Sequence, residues 1–328
     1  MPIHTMNRLI TLDRSRKGAS YKRKPRKPTL RLTLAGANPL SFASRLETGS
    51  ARYTAIMVME LEARVESNVR LSDDYNVVTL EAPSIAANAD PGQFVMVKVS
   101  DSQEPLLRRP FSIFEICRNS AGTPTGFSLL NKRIGIVTQQ IFDLTDTKQV
   151  SVLGPLGRPF TVINKPTQAW LVAGGVGLAP FVTLSEKLRQ QGVAVTLFYG
   201  ARSATELFYM NIFEQLGVSV VTATEDGSLG MQGVITVALN ERLQKIETNE
   251  SLMIYACGPT PMMQAVTNLV TEYHLPIEVS LEQVMGCGLG GCYSCVVRIR
   301  DEQGQEHYTR SCVNGPVLPG EQIVWEAL

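Results

Sequence analysis

No apolar run in this sequence reaches the length of a membrane-spanning helix. The longest, AWLVAGGVGLAPFV at 169–182, is broken by glycines and a proline and falls short of the roughly twenty residues a span needs. The opening MPIHTMNRLITLDRSRK lacks the compact apolar segment and small-residue cleavage site of a secretory signal. Net charge is also nearly absent, +1 over 328 residues, which gives no reason to expect nucleic acid or a strongly acidic ligand as a general partner. These absences set the expectation of a cytoplasmic protein with neither a membrane nor a nucleic-acid partner. In such a reducing compartment clustered cysteines serve metal or redox chemistry more often than disulfides.

The near-zero total hides an uneven distribution. Residues 1–56 include YKRKPRKPTLRL, basic and proline-bearing without apolar periodicity, a composition that cannot bury enough surface to order itself. They read as a disordered extension, or as a stretch upstream of a true start at Met57 or Met59, with a transit peptide as the lesser alternative. The chain as a whole is 44% hydrophobic, ample for two or three packed domains.

From about residue 58 the pattern is short strands between turn residues. LEARVESNVRL, YNVVTLEAP, GQFVMVKVS, PFSIFEICR and GFSLLNKR predict an antiparallel barrel or sandwich up to about 162. From 166 strands alternate with amphipathic helices: AWLVAGG, then helical APFVTLSEKLRQQG, VAVTLFYG, helical ATELFYMNIFEQLG, VSVVTATEDG, a helix near 234–245, and SLMIYACGP before PMMQAVTNLVTEYH. That alternation predicts a parallel sheet covered on both faces. The last fifty residues return to short strands.

Gly175, Gly177 and Pro180 form G-x-G-x-x-P after a strand. Two positions match a dinucleotide turn, where glycines admit a pyrophosphate to the amides of a helix start, but the third glycine is missing. A tight turn without a ligand is the competing reading. CGP at 257–259 also follows a strand and precedes a helix, so Gly177, Cys257 and Gly258 are expected on one rim at the carboxyl ends of the strands. Cys257 is otherwise a small buried hydrophobe. Glu225 and Asp226 are either turn residues or acceptors for a ribose, and Arg202, near the end of another strand, offers a cation for a 2′-phosphate.

RRPFS places Arg109 before Pro110 at the start of a strand: Arg109 presents a planar fork suited to phosphate, Phe111 a flat face and Ser112 a small hydroxyl, with an arginine in solvent above a half-buried strand as the competing reading. Gly135 and Thr138 stand at G-x-x-T spacing before an apparent helix, where Gly135 permits close approach and Thr138 either meets a phosphate or caps the helix.

The most specific signal is Cys287, Cys292, Cys295 and, after sixteen further residues, Cys312. Structural zinc sites use two short hooks, and here the far hook has one cysteine, with His307 the one other ligand type close by. C-x4-C-x2-C with a distant fourth cysteine is the plant-type spacing for a [2Fe-2S] cluster, and Gly286, Gly288, Gly290 and Gly291 let a loop expose amides to its charge.

The order RPFS, GIVT, GPLG, GGVGLAP, CGPTPMM and a terminal cysteine loop resembles the ferredoxin reductase superfamily from about residue 58 to 328. MGCGLGGCYSC with CVNGPV and IVWEAL is similar, more narrowly, to the electron transfer subunits of bacterial class 1B, NAD-linked dihydroorotate dehydrogenases. The resemblance implies a multidomain β and α/β protein: an antiparallel β-barrel FAD domain at 57–163, a parallel-sheet NAD-binding domain at 164–278 and a small C-terminal [2Fe-2S] domain at 279–328. It carries Arg109, Pro110, Phe111 and Ser112 over to the flavin and its pyrophosphate, and Gly135 and Thr138 to further FAD phosphate contacts. Gly175 and Gly177 carry over to the NAD turn, Cys257 and Gly258 to the edge of the nicotinamide pocket, and the four cysteines to the cluster.

The implied task is electron transfer between NAD(H) and an FMN-containing dihydroorotate dehydrogenase catalytic subunit, in a heterotetramer. No second phosphate-anchoring barrel and no evident base for dihydroorotate is present in this sequence, which fits a separate catalytic subunit. Sulfide dehydrogenase and the small subunit of electron-bifurcating transhydrogenase share the domain order and remain alternatives, and Arg202 leaves NADP open beside NAD.

Overall fold

The computed structural model describes residues 58–99, 105–162, 167–246 and 251–328. The basic segment at 1–56 and the candidate start Met57 lie outside the described residues, whereas Met59 opens the first strand.

Seven strands form the first sheet: β1 (Met59–Arg70), β2 (Tyr75–Glu81), β3 (Phe94–Lys98), β4 (Arg109–Ser112), β5 (Glu115–Arg118), β6 (Pro124–Lys132) and β7 (Gln149–Leu156). A short helix α1 (Pro83–Ala86) follows β2, and α2 (Ile136–Phe142) joins β6 to β7. Every pairing is antiparallel, in the order β4-β3-β7-β1-β2-β6-β5. The two edges, β4 and β5, are consecutive in sequence, so PFSIFEICR is two strands where its pattern predicts one. Between them the Ile113 amide donates to the Gln93 carbonyl and the Phe114 amide to that of Ser128, and Ile113 and Phe114 are buried. The chain thus crosses from one sheet edge to the other and rolls the sheet into a half-barrel, whose interior holds Ala63, Val65, Val78, Leu80, Ile85 and Phe127.

The second sheet comprises β8 (Gln168–Gly174), β9 (Ala194–Ala201), β10 (Ser219–Thr224), β11 (Met231–Gln232), β12 (Leu252–Cys257) and β13 (Ile277–Ser280). Between them run α3 (Phe181–Gln190), α4 (Met210–Gln215), α5 (Ile235–Leu243) and α6 (Thr260–Glu272). These six strands are parallel, in the order β11-β10-β9-β8-β12-β13. The near-continuous burial of β8 and β12 is what coverage on both faces requires.

The predicted helix over ATELFYMNIFEQLG is shorter than its pattern. α4 begins at Met210, after Tyr209 with φ 58°, because Phe208 packs on Tyr75 and Tyr209 on Phe114, with ring centroids 5.0 and 5.1 Å apart. Two aromatic side chains of the second sheet's connection are thereby spent on the half-barrel. Phe160, stacked on Phe181 and edge-on to Tyr255, and the Lys187–Asp90 ion pair at 2.8 Å bind the two sheets further.

The terminal segment forms a hairpin, β14 (Val296–Arg300) and β15 (Glu306–Arg310), then α7 (Ser311–Asn314) and β16 (Val317–Pro319). β16 returns to pair antiparallel with β13, so the second sheet is mixed at that edge, and β13 runs through the boundary expected at 278. Among the described residues no helix is long and apolar enough to cross a membrane.

Candidate functional site

A parallel sheet presents its loops at the carboxyl ends of its strands. In register, Gly174 of β8 stands beside Gly200 of β9, Ala173 beside Cys257 of β12, and Ala201 beside Thr224 of β10. Gly175, Gly177, Arg202, Glu225, Asp226, Cys257 and Gly258 therefore share one rim. Gly177 is buried, and a Cβ there would lie 2.2 Å from the Cys257 carbonyl oxygen and 2.6 Å from the Gly258 amide nitrogen; only glycine lets the two turns touch. Gly175 opens the turn at φ +54°, and nothing stands within 4 Å of a Cβ built on it.

Arg202 is not a free cation. Its Nε donates to Glu206 Oε2 at 3.2 Å and its Nη2 to Oε1, and this fork holds the Glu206 carboxyl below the usual range. Across the rim the Ser228 hydroxyl and amide hold Asp226 low as well.

From this rim a cavity of about 840 Å³ runs under the half-barrel edge, within the roughly 300–1,000 Å³ typical of cofactor and ligand sites. Arg109, Pro110, Phe111, Ser112, Gly135 and Thr138 all line it, and so does Cys257. Seven side chains or backbones chosen from separate motifs thus meet in one space. The Arg109 guanidinium is folded onto the Leu107 and Arg108 carbonyls at 3.0 and 3.2 Å. Thr138 is a cap: its hydroxyl accepts from the Ile134 and Gly135 amides, both at 2.9 Å, and donates to the Gly135 carbonyl. Gly135 has extended backbone, and a Cβ added to it meets nothing within 4 Å. The protein itself does not demand a glycine there; an occupant of the cavity would. Ile134 and Ile136 beside it are 79% and 74% exposed, bare apolar surface that a flat ring would cover.

Two charged cavity residues, Lys132 and Glu282, escape the sequence motifs. Glu282 lines the cavity, and desolvation there pushes its carboxyl up against the opposing pull of Lys132. Burial likewise pushes the Cys257 thiol up, with the Glu282 charge adding to it and Ser280 opposing. Cys257 is a neutral thiol. Neither charged residue sits in a spaced motif, so only the tertiary fold brings them here.

Met285, Gly286 and Ser294 also line the cavity; Met285 and Gly286 immediately precede the first cysteine of the loop, and Ser294 stands between Cys292 and Cys295. Met285, Cys295 and Cys312 pack with Phe94, Met96 and Leu156 of the half-barrel. Gly288, at φ +72°, is pressed there too, since a Cβ would lie 2.6 Å from Met96 Cγ. The β14–β15 ladder pairs Val296 with Arg310, and the Ser311 amide donates to the Cys295 carbonyl at 2.9 Å, which sets Cys312 beside Cys295 across sixteen residues of chain.

The sulfurs fall into two pairs. Cys292 neighbours Cys287, and its thiol is drawn down to about 6 by Ser294 first and Cys287 second. Cys312 neighbours Cys295 and is pushed up to about 12 by burial and then by Cys295. The Leu289 and Gly291 amides donate to Cys287 Sγ, each at 3.3 Å, and the Cys312 amide to Cys295 Sγ at 3.4 Å. Among the described residues no three thiol, imidazole or carboxylate groups gather as one ion requires, and all six cysteines are free thiols. Two pairs with amide donors fit the four-thiolate donor set of a two-iron cluster better than a single tetrahedral zinc site.

The half-barrel, the glycine-turn sheet and the cavity between them define a ferredoxin-reductase-type oxidoreductase. The fold matches a chain of the NADH-dependent reduced ferredoxin-NADP oxidoreductase studied for flavin-based electron bifurcation, with TM-score 0.70 and 28% identity over 80% of this chain and 90% of that one. Residues 171–268 match the oxidoreductase NAD-binding domain, and residues 282–324 match the iron-sulfur cluster binding domain of dihydroorotate dehydrogenase B. The chain is 37% identical over 265 residues to the dihydroorotate dehydrogenase B (NAD(+)) electron transfer subunit of Desulforamulus reducens, covering 81% of this chain and 98% of that protein. Against the same subunit of Fusobacterium nucleatum it is 33% identical over 267 residues, 80% of this chain and 97% of that one. The chain belongs to the family of dihydroorotate dehydrogenase B electron transfer subunits.

Proposed function

We propose that this chain carries electrons from an FMN-containing, dihydroorotate-oxidising catalytic subunit to NAD+ in pyrimidine biosynthesis. In this reading FAD occupies the cavity, a [2Fe-2S] cluster is held by Cys287, Cys292, Cys295 and Cys312, and NAD(H) binds the rim at Gly175, Gly177 and Gly258. The assembly is a cytoplasmic heterotetramer with the catalytic subunit. The observation that carries the reading is that one cavity is lined both by Cys257 of the nucleotide rim and by Gly286 and Ser294 of the cysteine loop. When bound, FAD supplies the exchange between two-electron hydride chemistry and the single-electron chemistry of an iron-sulfur cluster.

The residues divide the work by chemistry. Arg109 would exchange the Leu107 and Arg108 carbonyls for phosphate oxygens, Phe111 and Ser112 would bound the ring, and Gly135 would leave room for close approach. The protonated Cys257 shapes the nicotinamide edge and is not a nucleophile, since the thiolate is the reactive form. Met285 lines the cavity and packs with Cys295 and Cys312, so it would lie between bound FAD and that sulfur pair. The bidentate Arg202–Glu206 pair, with Glu225 and Asp226 nearby, supports NAD over NADP, because a 2′-phosphate finds its cation already neutralised.

A bifurcating or sulfide-type oxidoreductase subunit is the second reading, favoured by the 28% identical structure; the higher identity and near-complete coverage of the dihydroorotate dehydrogenase subunits favour the first. Co-expression with the candidate catalytic subunit tests both. The expected result is a yellow-brown complex, containing FAD, iron and acid-labile sulfide, that reduces NAD+ with dihydroorotate. A complex that forms with a different dehydrogenase and ignores dihydroorotate would overturn the assignment.

A further inference from the structure

We propose that Asn68, Asn76 and Asn131 are positioning residues for FAD, a buried chain of amides that sets the 134–138 wall of the cavity. This rests on the FAD reading of that cavity. Asn76 and Asn131 are fully buried inside the half-barrel and stand opposite each other on β2 and β6. Their strand neighbours there are Val77, Val78, Leu129 and Leu130, all buried. Apolar side chains would satisfy such a place without any risk of an unmet polar atom, so two buried asparagines need a reason.

Their hydrogen bonds supply one. Asn131 Nδ2 donates to Asn76 Oδ1 at 2.7 Å, and Asn76 Nδ2 donates to Asn68 Oδ1 at 2.7 Å. Each amide also reaches α2 or its exit. Asn131 donates to the Thr138 carbonyl at 3.0 Å, Asn76 to Ile141 at 3.4 Å, and Asn68 to Phe142 and Leu144 at 3.0 and 2.8 Å. Three strands therefore grip one short helix through directional bonds.

That helix carries the cavity wall. Ile134, Gly135, Ile136, Val137 and Thr138 all line the cavity, and so do Leu130 and Lys132 on either side of Asn131. α2 has seven residues, too few to hold its place by its own helical stability. Its apolar contacts, Val137 and Ile141 in the half-barrel core, resist separation but only weakly resist sliding or rotation. Hydrogen bonds of 2.7–3.0 Å are lost over a few tenths of an ångström, so the amide chain fixes the register that packing leaves loose. A wall displaced by about 1 Å is enough to spoil a fitted site.

The test separates position from stability. In Asn76→Val/Asn131→Leu both partners of the central bond become apolar, and the stability lost is confined to the donors withdrawn from Asn68 Oδ1 and the Thr138 and Ile141 carbonyls. Val150→Ala, a cavity made in the same core on β7, serves as the control that loses stability without touching the amide chain. Apo full-length protein is titrated with FAD by flavin fluorescence, with thermal melts alongside. The expected result is an FAD Kd raised about tenfold or more in the double variant, an intermediate rise in Asn131→Thr, whose hydroxyl can serve one acceptor but not two, and NAD+ binding unchanged. Unchanged FAD affinity within twofold in both asparagine variants would overturn the proposal. So would equal FAD loss in Val150→Ala. If wild-type apo protein takes up no FAD at all, the cofactor reading of the cavity fails, an outcome visible before any variant is made.

Discussion

A methyl group on Gly177 would stand 2.2 Å from the Cys257 carbonyl oxygen, whereas one on Gly175 meets nothing within 4 Å and only the φ of +54° opposes it. The two glycines of one turn thus differ in kind. Gly177→Ala must push the glycine turn away from the 257–258 backbone and is expected to cost about 2 kcal/mol or more, with the KM for NADH raised; Gly175→Ala carries about 1–2 kcal/mol of left-handed strain and no clash. Urea denaturation ranks the two, and equal losses would show that Gly177 is not held by the contact. Glu206 offers a residue-scale test of a different sort. Removing its charge in Glu206→Gln frees the Arg202 fork, and a cation meeting a phosphate charge at 4 Å in water gains about 1 kcal/mol. The NADPH-to-NADH ratio of kcat/KM should rise about fivefold, with little change in melting temperature, since exposed ion pairs contribute little to stability. An unchanged ratio would place the adenosine ribose away from Arg202.

At the scale of elements, the half-barrel meets α3 through carboxyls. Glu115 on β5 is pushed up by burial and then by Glu186 of α3; Glu186 is pushed up by burial, against the pull of Arg118, which lies 3.6 Å away. A carboxyl raised in the folded state favours folding most below its unfolded pKa, about 4.3, and withdraws that contribution as pH climbs through the folded value. Glu115→Gln, which cannot ionise, should therefore melt higher than wild type at pH 8, by on the order of a degree or two, and the gap should close towards pH 4.5. A gap that is the same at both pH values would mean the effect is packing and not ionisation. The elements themselves are legible in the sequence to different degrees. The strand and helix alternation of the second sheet follows from local periodicity and can be read nearly to its ends. PFSIFEICR hides a corner, because Ile113 and Phe114 are apolar like the strands they join, and ATELFYM looks helical because its departure is forced by Tyr75 and Phe114, far off in sequence. β7 escapes a pattern reading because QVSVLGPL contains Gly154 and Pro155, residues that read as a turn although they continue the strand. The cysteine quartet is readable because its spacing is itself the geometry; Lys132, Glu282 and the asparagine chain are not, since each acts only through partners on other strands.

For the whole molecule the decisive feature is order in space: nucleotide rim, cavity, cysteine loop. Cys257 and Ser294 line the same cavity, and Cys295 and Cys312 pack on Phe94, which lines it as well. If electrons leave for a partner through the loop, the rim and cavity should work without it. Cys292 is the exposed member of the quartet, so replacing it disturbs packing least, and Cys292→Ser removes one thiolate of the Cys287/Cys292 pair. The expected variant keeps bound FAD and NADH-dependent reduction of a two-electron dye within about twofold of wild type. It loses the broad visible absorbance of the cluster and at least a hundredfold of the dihydroorotate-to-NAD+ rate in complex with the catalytic subunit. Stopped-flow absorbance with NADH, then with dihydroorotate, measures the two halves separately. Retained dihydroorotate-to-NAD+ turnover without cluster absorbance would mean that electrons bypass the loop, and loss of dye reduction as well would mean that the loop also supports the cavity through its contacts with Phe94 and Met96. The second outcome is opposed by the cavity wall itself, most of which belongs to the half-barrel and the nucleotide sheet.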